Sequence, residues 1–154
     1  MKHRPILSLS YFATSILISP CMTIALIMTL MCMSEIPTLA ADTLSVQRAE
    51  QWLTKIDQRQ YAESWTSSAV YLKQAIDQAQ WTKTLTSHRQ PFGLIVSRHH
   101  QKTEYRNNLP GVPNGHYAIL YFLTNFETKL EAIETLVLQQ EPDGAWRSIG
   151  YTIK

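Results

Sequence analysis

From Tyr117 to Ile153 the chain runs YAILYFLTNF, ETKL, EAIETLVLQQ and EPDGAWRSIGYTI. Val, Ile, Leu, Tyr, Phe and Thr dominate, the residue types that suit a pleated, half-buried surface. Two turn signals divide the stretch into three strands. In Glu141-Pro142-Asp143-Gly144 the Pro sets φ and the Gly supplies a positive one. The pattern predicts an antiparallel meander with one face to bury. Upstream the period changes. Val46, Ala49, Leu53 and Ile56 recur at helical spacing with Trp52 beside them, while Gln47, Arg48, Gln51 and Lys55 face outward. Asp42 stands at the N-cap position, and Asp57-Gln58-Arg59-Gln60 ends the helix without Gly or Pro. Tyr61 and Trp65, four residues apart, suit a short helical turn. Ser67 or Ser68 then caps one longer helix reaching about Ser87, with Ala69, Leu72, Ile76, Ala79, Trp81 and Leu85 inward. Pro91 and Gly93 stop it. From Phe92 to Arg106 strand alternation returns: Leu94, Val96, Arg98 and His100 share one face, and Ile95, Ser97, His99 and Gln101 the other. Asn107 to Gly115, rich in Pro, Gly and Asn, is an ordered hairpin connection.

Helices first and strands afterwards predict an α+β domain, with N-terminal helices packed on one face of a curved four-stranded antiparallel sheet. That architecture is similar to the nuclear transport factor 2-like and cystatin-like folds, which host many functions. The 154 residues allow one ordinary domain, and 45% hydrophobic content permits a packed core. A net charge of +2 gives no footprint for nucleic acid.

The first residues change the picture. Lys2 and Arg4 precede an apolar run from Ile6 to about Met33, and Thr38-Leu39-Ala40-Ala41 follows. A basic start, an apolar stretch and an Ala-type cleavage site predict a signal peptide over 1–41, leaving a single domain over 42–154. The exported product would be periplasmic or secreted. The run exceeds the ordinary apolar stretch of a signal, so an uncleaved anchor is the alternative, and only then is a membrane a partner. Lipidation at Cys21 or Cys32 fits less well, because Pro20 and Met31 precede them where a small residue is wanted. Both cysteines fall in this leader, so the mature chain has neither a disulfide framework nor a thiol nucleophile.

Trp52-Leu53 with Ile56-Asp57, Tyr61 with Ser64-Trp65, Trp81, Arg89 with Pro91 and Gly93, and Arg98 occur in an ordered series. Leu109-Pro110-Gly111 with Pro113, Gly115 and Tyr117, then Phe126, Glu134-Thr135, Gly144 with Trp146-Arg147, and Gly150-Tyr151 complete it. In order and spacing the series resembles the bacterial family called domain of unknown function 4019, over about residues 46–153. Members usually carry a Gly in the turn before Tyr61, where this chain has Arg59-Gln60. The resemblance implies exported proteins with no assigned reaction, and it transfers no catalytic residue.

Candidate chemistry is sparse. Glu134 shares a strand face with Ala132, Leu136 and Leu138, and a carboxylate there is either paired or kept neutral. Arg98 is its expected partner, with a Tyr hydroxyl or a water as the alternative bridge. Asp57 and Asp77 sit on helix surfaces and Asp143 in a turn, so no two-carboxylate site is expected. His99 and His100 point to opposite faces of one strand, and His88 and His116 stand apart, so no zinc set forms. His88-Arg89 suits the end of a helix, where cations favour the dipole. Ser64 and Ser97 lack a nucleophile-elbow context. Most of the many aromatics are core, and Trp65, Tyr121, Trp146 and Tyr151 are the candidates for lining a pocket. The reading is a non-enzymatic exported domain, without cofactor, metal or nucleic acid, that binds a small ligand, a peptide or an envelope protein. The alternative is a small cone-fold enzyme using acid–base chemistry at Glu134.

Overall fold

The structure, a computed structural model, describes residues 36–154. The expected leader, with Cys21 and Cys32, lies outside the described residues apart from its last six positions, which are helical. Among the described residues four helices come first: α1 (Ile36–Asp57), α2 (Tyr61–Thr66), α3 (Val70–Ala75) and α4 (Gln78–Arg89). A 3₁₀ turn, Gln90–Phe92, leads to β1 (Ile95–Arg106), β2 (His116–Phe126), β3 (Ala132–Gln140) and β4 (Trp146–Ile153). The strands form one antiparallel sheet in chain order. The fold is α+β, as the order of periods predicts. One sheet face is covered: Ala118, Leu120, Phe122, Leu136 and Leu138 pack in a single core with Trp52, Leu53, Ile56, Tyr61, Trp81 and Leu85 from the helices. Burying such side chains stabilises by roughly 1.5–3 kcal/mol each.

Several helix boundaries differ from the expectation. Asp42 is not an N-cap, because α1 begins six residues earlier; its carboxylate accepts instead from the Tyr105 hydroxyl, 3.1 Å away. The single long helix is two. Val70–Ala75 ends at Ile76, and Asp77 restarts the chain as a true N-cap, its carboxylate accepting from Gln80 N at 2.8 Å. The break shifts the helical phase, so Ala79 is exposed while Trp81 and Leu85 stay buried. Neither Ser67 nor Ser68 caps α3. Its N-cap is Ala69, and Glu141, from the turn before β4, accepts from Val70 N at 2.7 Å. Ser64 ties this region together: its hydroxyl accepts from the Trp81 indole at 3.0 Å and its carbonyl from the Trp52 indole at 3.0 Å.

The turn after α1 has no glycine, yet it closes tightly. Gln60 N donates to Lys55 O at 2.8 Å and Arg59 N to Ile56 O at 3.0 Å, the paired bonds of a Schellman cap. Arg59 sits at φ 59°, the left-handed region that disfavours a Cβ. Arg59→Gly should therefore raise stability by about 1 kcal/mol, whereas Arg59→Ala should not; urea unfolding of the two variants checks this.

In β1 an irregularity between Ile95 and Ser97 inserts an extra residue. Ile95 pairs with Phe126 and Arg98 with Thr124, so those two share the covered face. Leu94 and Val96, expected there, are instead 57% and 67% exposed. A bulge is the reason: strict alternation fails wherever two residues oppose one.

Candidate functional site

Four strands each contribute one residue to a polar row on the covered face: Arg98, Thr124, Glu134 and Tyr151. The register explains the row. Arg98 lies directly opposite Thr124, while Thr124 and Glu134 are diagonal neighbours, as are Glu134 and Tyr151. Arg98 Nε donates to Glu134 Oε2 at 2.6 Å, and Thr124 Oγ1 donates to the same oxygen at 2.6 Å. The Tyr151 hydroxyl donates to Glu134 Oε1. Glu134 is 0% exposed, with its two oxygens accepting three hydrogen bonds.

Two helix ends close over the row. Arg98 grips Asp57, the last residue of α1, through both terminal nitrogens: Nη1 to Oδ2 at 2.7 Å and Nη2 to Oδ1 at 3.0 Å. Asp57 is therefore not a surface residue. A carboxylate at a helix C-terminus opposes the dipole, and the bidentate guanidinium compensates for it. Arg89 lies in the last turn of α4, where a cation suits the dipole, and it is buried. It donates to Gly93 O at 2.6 Å, stands 3.4 Å from Asp57 Oδ1 and lies 4.4 Å over the Phe126 ring, while its Nε finds no partner among the described residues. Gly93 sits at φ 73°, and a Cβ there would fall 2.6 Å from Glu127 Oε2, so that carboxylate would have to move. The network carries two guanidinium and two carboxylate groups, so its charges balance. Burial by itself would lower the Arg98 pKa, but its hydrogen bonds to Asp57 and Glu134 outweigh that and raise it above the ordinary arginine value. Burial, reinforced by the Glu134 charge and hydrogen bond, pushes the Tyr151 hydroxyl well above the ordinary tyrosine value.

The four pocket candidates do not converge. Tyr121 is on the uncovered face, its ring 4.5 Å from Lys102 Nζ. The Trp65 indole donates to Ile76 O at 2.8 Å and its ring packs against the core. Tyr151 borders an apolar cleft of about 400 Å³ with Trp81, Leu85, Phe92 and Ile153. Trp146 lines a different groove, of about 260 Å³, between α1 and the start of β4. The α1 wall is Arg48, Gln51, Trp52 and Lys55, one helical stripe. On the β4 wall Ser148 is 1% exposed, and its hydroxyl has no hydrogen-bond partner among the described residues.

His88 lines the apolar cleft beside Tyr151, and the other described histidines stand apart from it. His100 is on the covered face, its ring 5.4 Å from that of Phe122 and its Nε2 2.9 Å from Thr103 Oγ1, while His99 is exposed. Among the described residues no group of three His, Cys, Asp or Glu side chains could hold a metal ion.

The chain finds no match among curated proteins or solved structures. Residues 48–151 match the family described as Protein of unknown function (DUF4019), a span that takes in α1 from Arg48, the whole ion network and both walls of the groove. This chain belongs to that family.

Proposed function

We propose that the chain is an exported, non-enzymatic binding domain whose ligand is a small molecule held in the groove between α1 and β4. The unpartnered Ser148 hydroxyl supports this reading. A buried hydroxyl without a hydrogen bond costs about 1–3 kcal/mol, and a ligand that completes the bond recovers that cost. Ser148 borders the groove with its hydroxyl just beneath the surface, so a small shift of the lining brings a ligand to it. Glu134 offers no such opening. Its oxygens are taken by Arg98, Thr124 and Tyr151, and general acid–base work needs a proton that a bound substrate can reach. The network instead clamps the C-terminal ends of α1 and α4 onto the sheet, which holds the α1 wall of the groove in place.

Ser148→Ala separates this reading from a structural role. The variant should be as stable as the parent without ligand, or more so by about 1 kcal/mol, because no buried hydroxyl is left unmet. It should also lose the thermal shift that a panel of small metabolites gives the parent protein. A panel that shifts neither the melting temperature nor the Trp146 indole resonance would overturn the reading.

Export rests on Lys2, Arg4 and the apolar run before Thr38. Mass spectrometry of protein from the native host should show a chain starting at Ala41 or Asp42. An intact Met1 on envelope-bound protein would point to a retained anchor.

A further inference from the structure

If the α1–β4 groove is the binding site, its lining also specifies the class of ligand. Three cations border it: Arg48, Lys55 and Arg147. Arg147 is committed, at 2.7 Å to Glu141 and 2.7 Å to Asp143. Lys55 is half-buried and makes no ion pair among the described residues. Arg48 spends one nitrogen on the neutral Gln51 Oε1, at 3.1 Å, and keeps its charge and its other donors. Among the described residues no acidic side chain lines the groove. An ammonium with no carboxylate beside it is free to meet an incoming anion. Lys55 offers a point charge, Arg48 a planar fork and Ser148 a short hydroxyl donor, the set that meets an oxyanion.

The rest of the groove describes the body attached to that anion. Trp52 and Trp146 are both buried to more than nine-tenths. The Trp52 indole N–H is already spent on Ser64 O at 3.0 Å and Ser68 Oγ at 3.2 Å, so this ring presents a wall and no donor. At about 260 Å³ the groove is smaller than the usual drug-sized pocket, so its occupant is compact. We propose that the groove binds a small organic anion: one carboxylate or phosphate held by Lys55, Arg48 and Ser148, on a compact apolar body lying against Trp52 and Trp146.

The test uses the purified full chain and four probes: benzoate, phenyl phosphate, inorganic phosphate and the neutral benzamide. Isothermal titration gives affinities, and the Trp146 indole resonance reports occupancy of the groove. Benzoate or phenyl phosphate should move that resonance and bind about tenfold or more tightly than benzamide, with affinity falling as salt rises. Inorganic phosphate should bind more weakly than phenyl phosphate, because it lacks the body that the tryptophans receive. Lys55→Gln and Ser148→Ala should each weaken the best probe by about tenfold, and Lys55→Arg should retain most of the affinity. Benzamide binding as well as benzoate, or affinities unchanged in Lys55→Gln and Ser148→Ala, would sink the anion assignment. If a metabolite panel then yields only neutral compounds in the groove, the binding function survives and the ligand class falls. If nothing perturbs the Trp146 resonance, both fall together.

Discussion

Arg98→Met should cost about 3–5 kcal/mol, more than any other single change in the ion network. Among the described residues Arg98 alone touches both acids, Asp57 through two hydrogen bonds and Glu134 through one. Its loss takes the cation from two carboxylates at once, leaving Asp57 with Arg89 at 3.4 Å and Glu134 with the Thr124 and Tyr151 hydroxyls. Glu134→Gln is milder, about 1.5–3 kcal/mol, the range for hydrogen bonds to a charged group. It leaves Arg98 bidentate on Asp57, and the amide oxygen still accepts from Thr124 or Tyr151. Combining Arg98→Met with Glu134→Leu should cost less than the sum of the singles by about 0.5–3 kcal/mol, the coupling expected of residues in contact. The double variant should still fall short of the parent, because Asp57 remains buried against Arg89, and adding Asp57→Asn should recover part of that deficit. Urea midpoints at constant slope measure each step. Strict additivity of Arg98 and Glu134 would mean that the 2.6 Å contact carries no coupling.

Sequence alone places Arg98 and Glu134 together, but half of that inference runs through the wrong neighbours. The Glu134 half is sound: Ala132, Leu136 and Leu138 are buried with it on β3, a strand with no irregularity next to Glu134. The Arg98 half relies on Leu94 and Val96, which are exposed, and it is the bulge in β1 that turns Arg98 inward beside Ile95. Bulges leave no periodic trace, so the face of an edge strand is less legible than that of a central one. The burial of Asp57, by contrast, does leave a trace in the sequence. It lies four residues after Leu53 and eight after Ala49, on the stripe that α1 buries, and a carboxylate on that stripe needs a partner as much as one on a strand does. The helix break at Asp77 has a signal too, an Asp at an N-cap position, but the apolar spacing from Leu72 to Leu85 imitates one continuous helix. The groove leaves no such trace. Its two walls are about ninety residues apart in sequence, and Ser148 becomes notable only once its hydroxyl is seen to lack a partner.

Tyr151→Phe should lower stability by about 1.5–3 kcal/mol near neutral pH and should flatten the loss of stability at alkaline pH. The first effect is the lost hydrogen bond to the Glu134 carboxylate, which leaves that charge with two donors. The second follows from the raised Tyr151 pKa, caused first by burial and then by Glu134. A folded pKa above the unfolded one means that the fold favours the protonated hydroxyl. Its contribution is complete below the unfolded value, near pH 10, and is lost as pH climbs toward the folded value. In that window the unfolded chain releases a proton that the folded chain keeps, so stability falls by about 1.4 kcal/mol per pH unit for this group. A phenylalanine ring has no proton to release, so the gap between the parent and Tyr151→Phe should narrow from pH 10 upward. Tyr61, Tyr105 and Tyr117 are also raised, in each case chiefly by burial, and they slope both curves alike. The difference between the curves therefore isolates Tyr151. Urea midpoints at pH 8, 10 and 11 measure it, and parallel curves across that range would show that Tyr151 ionises alike in the folded and unfolded chains.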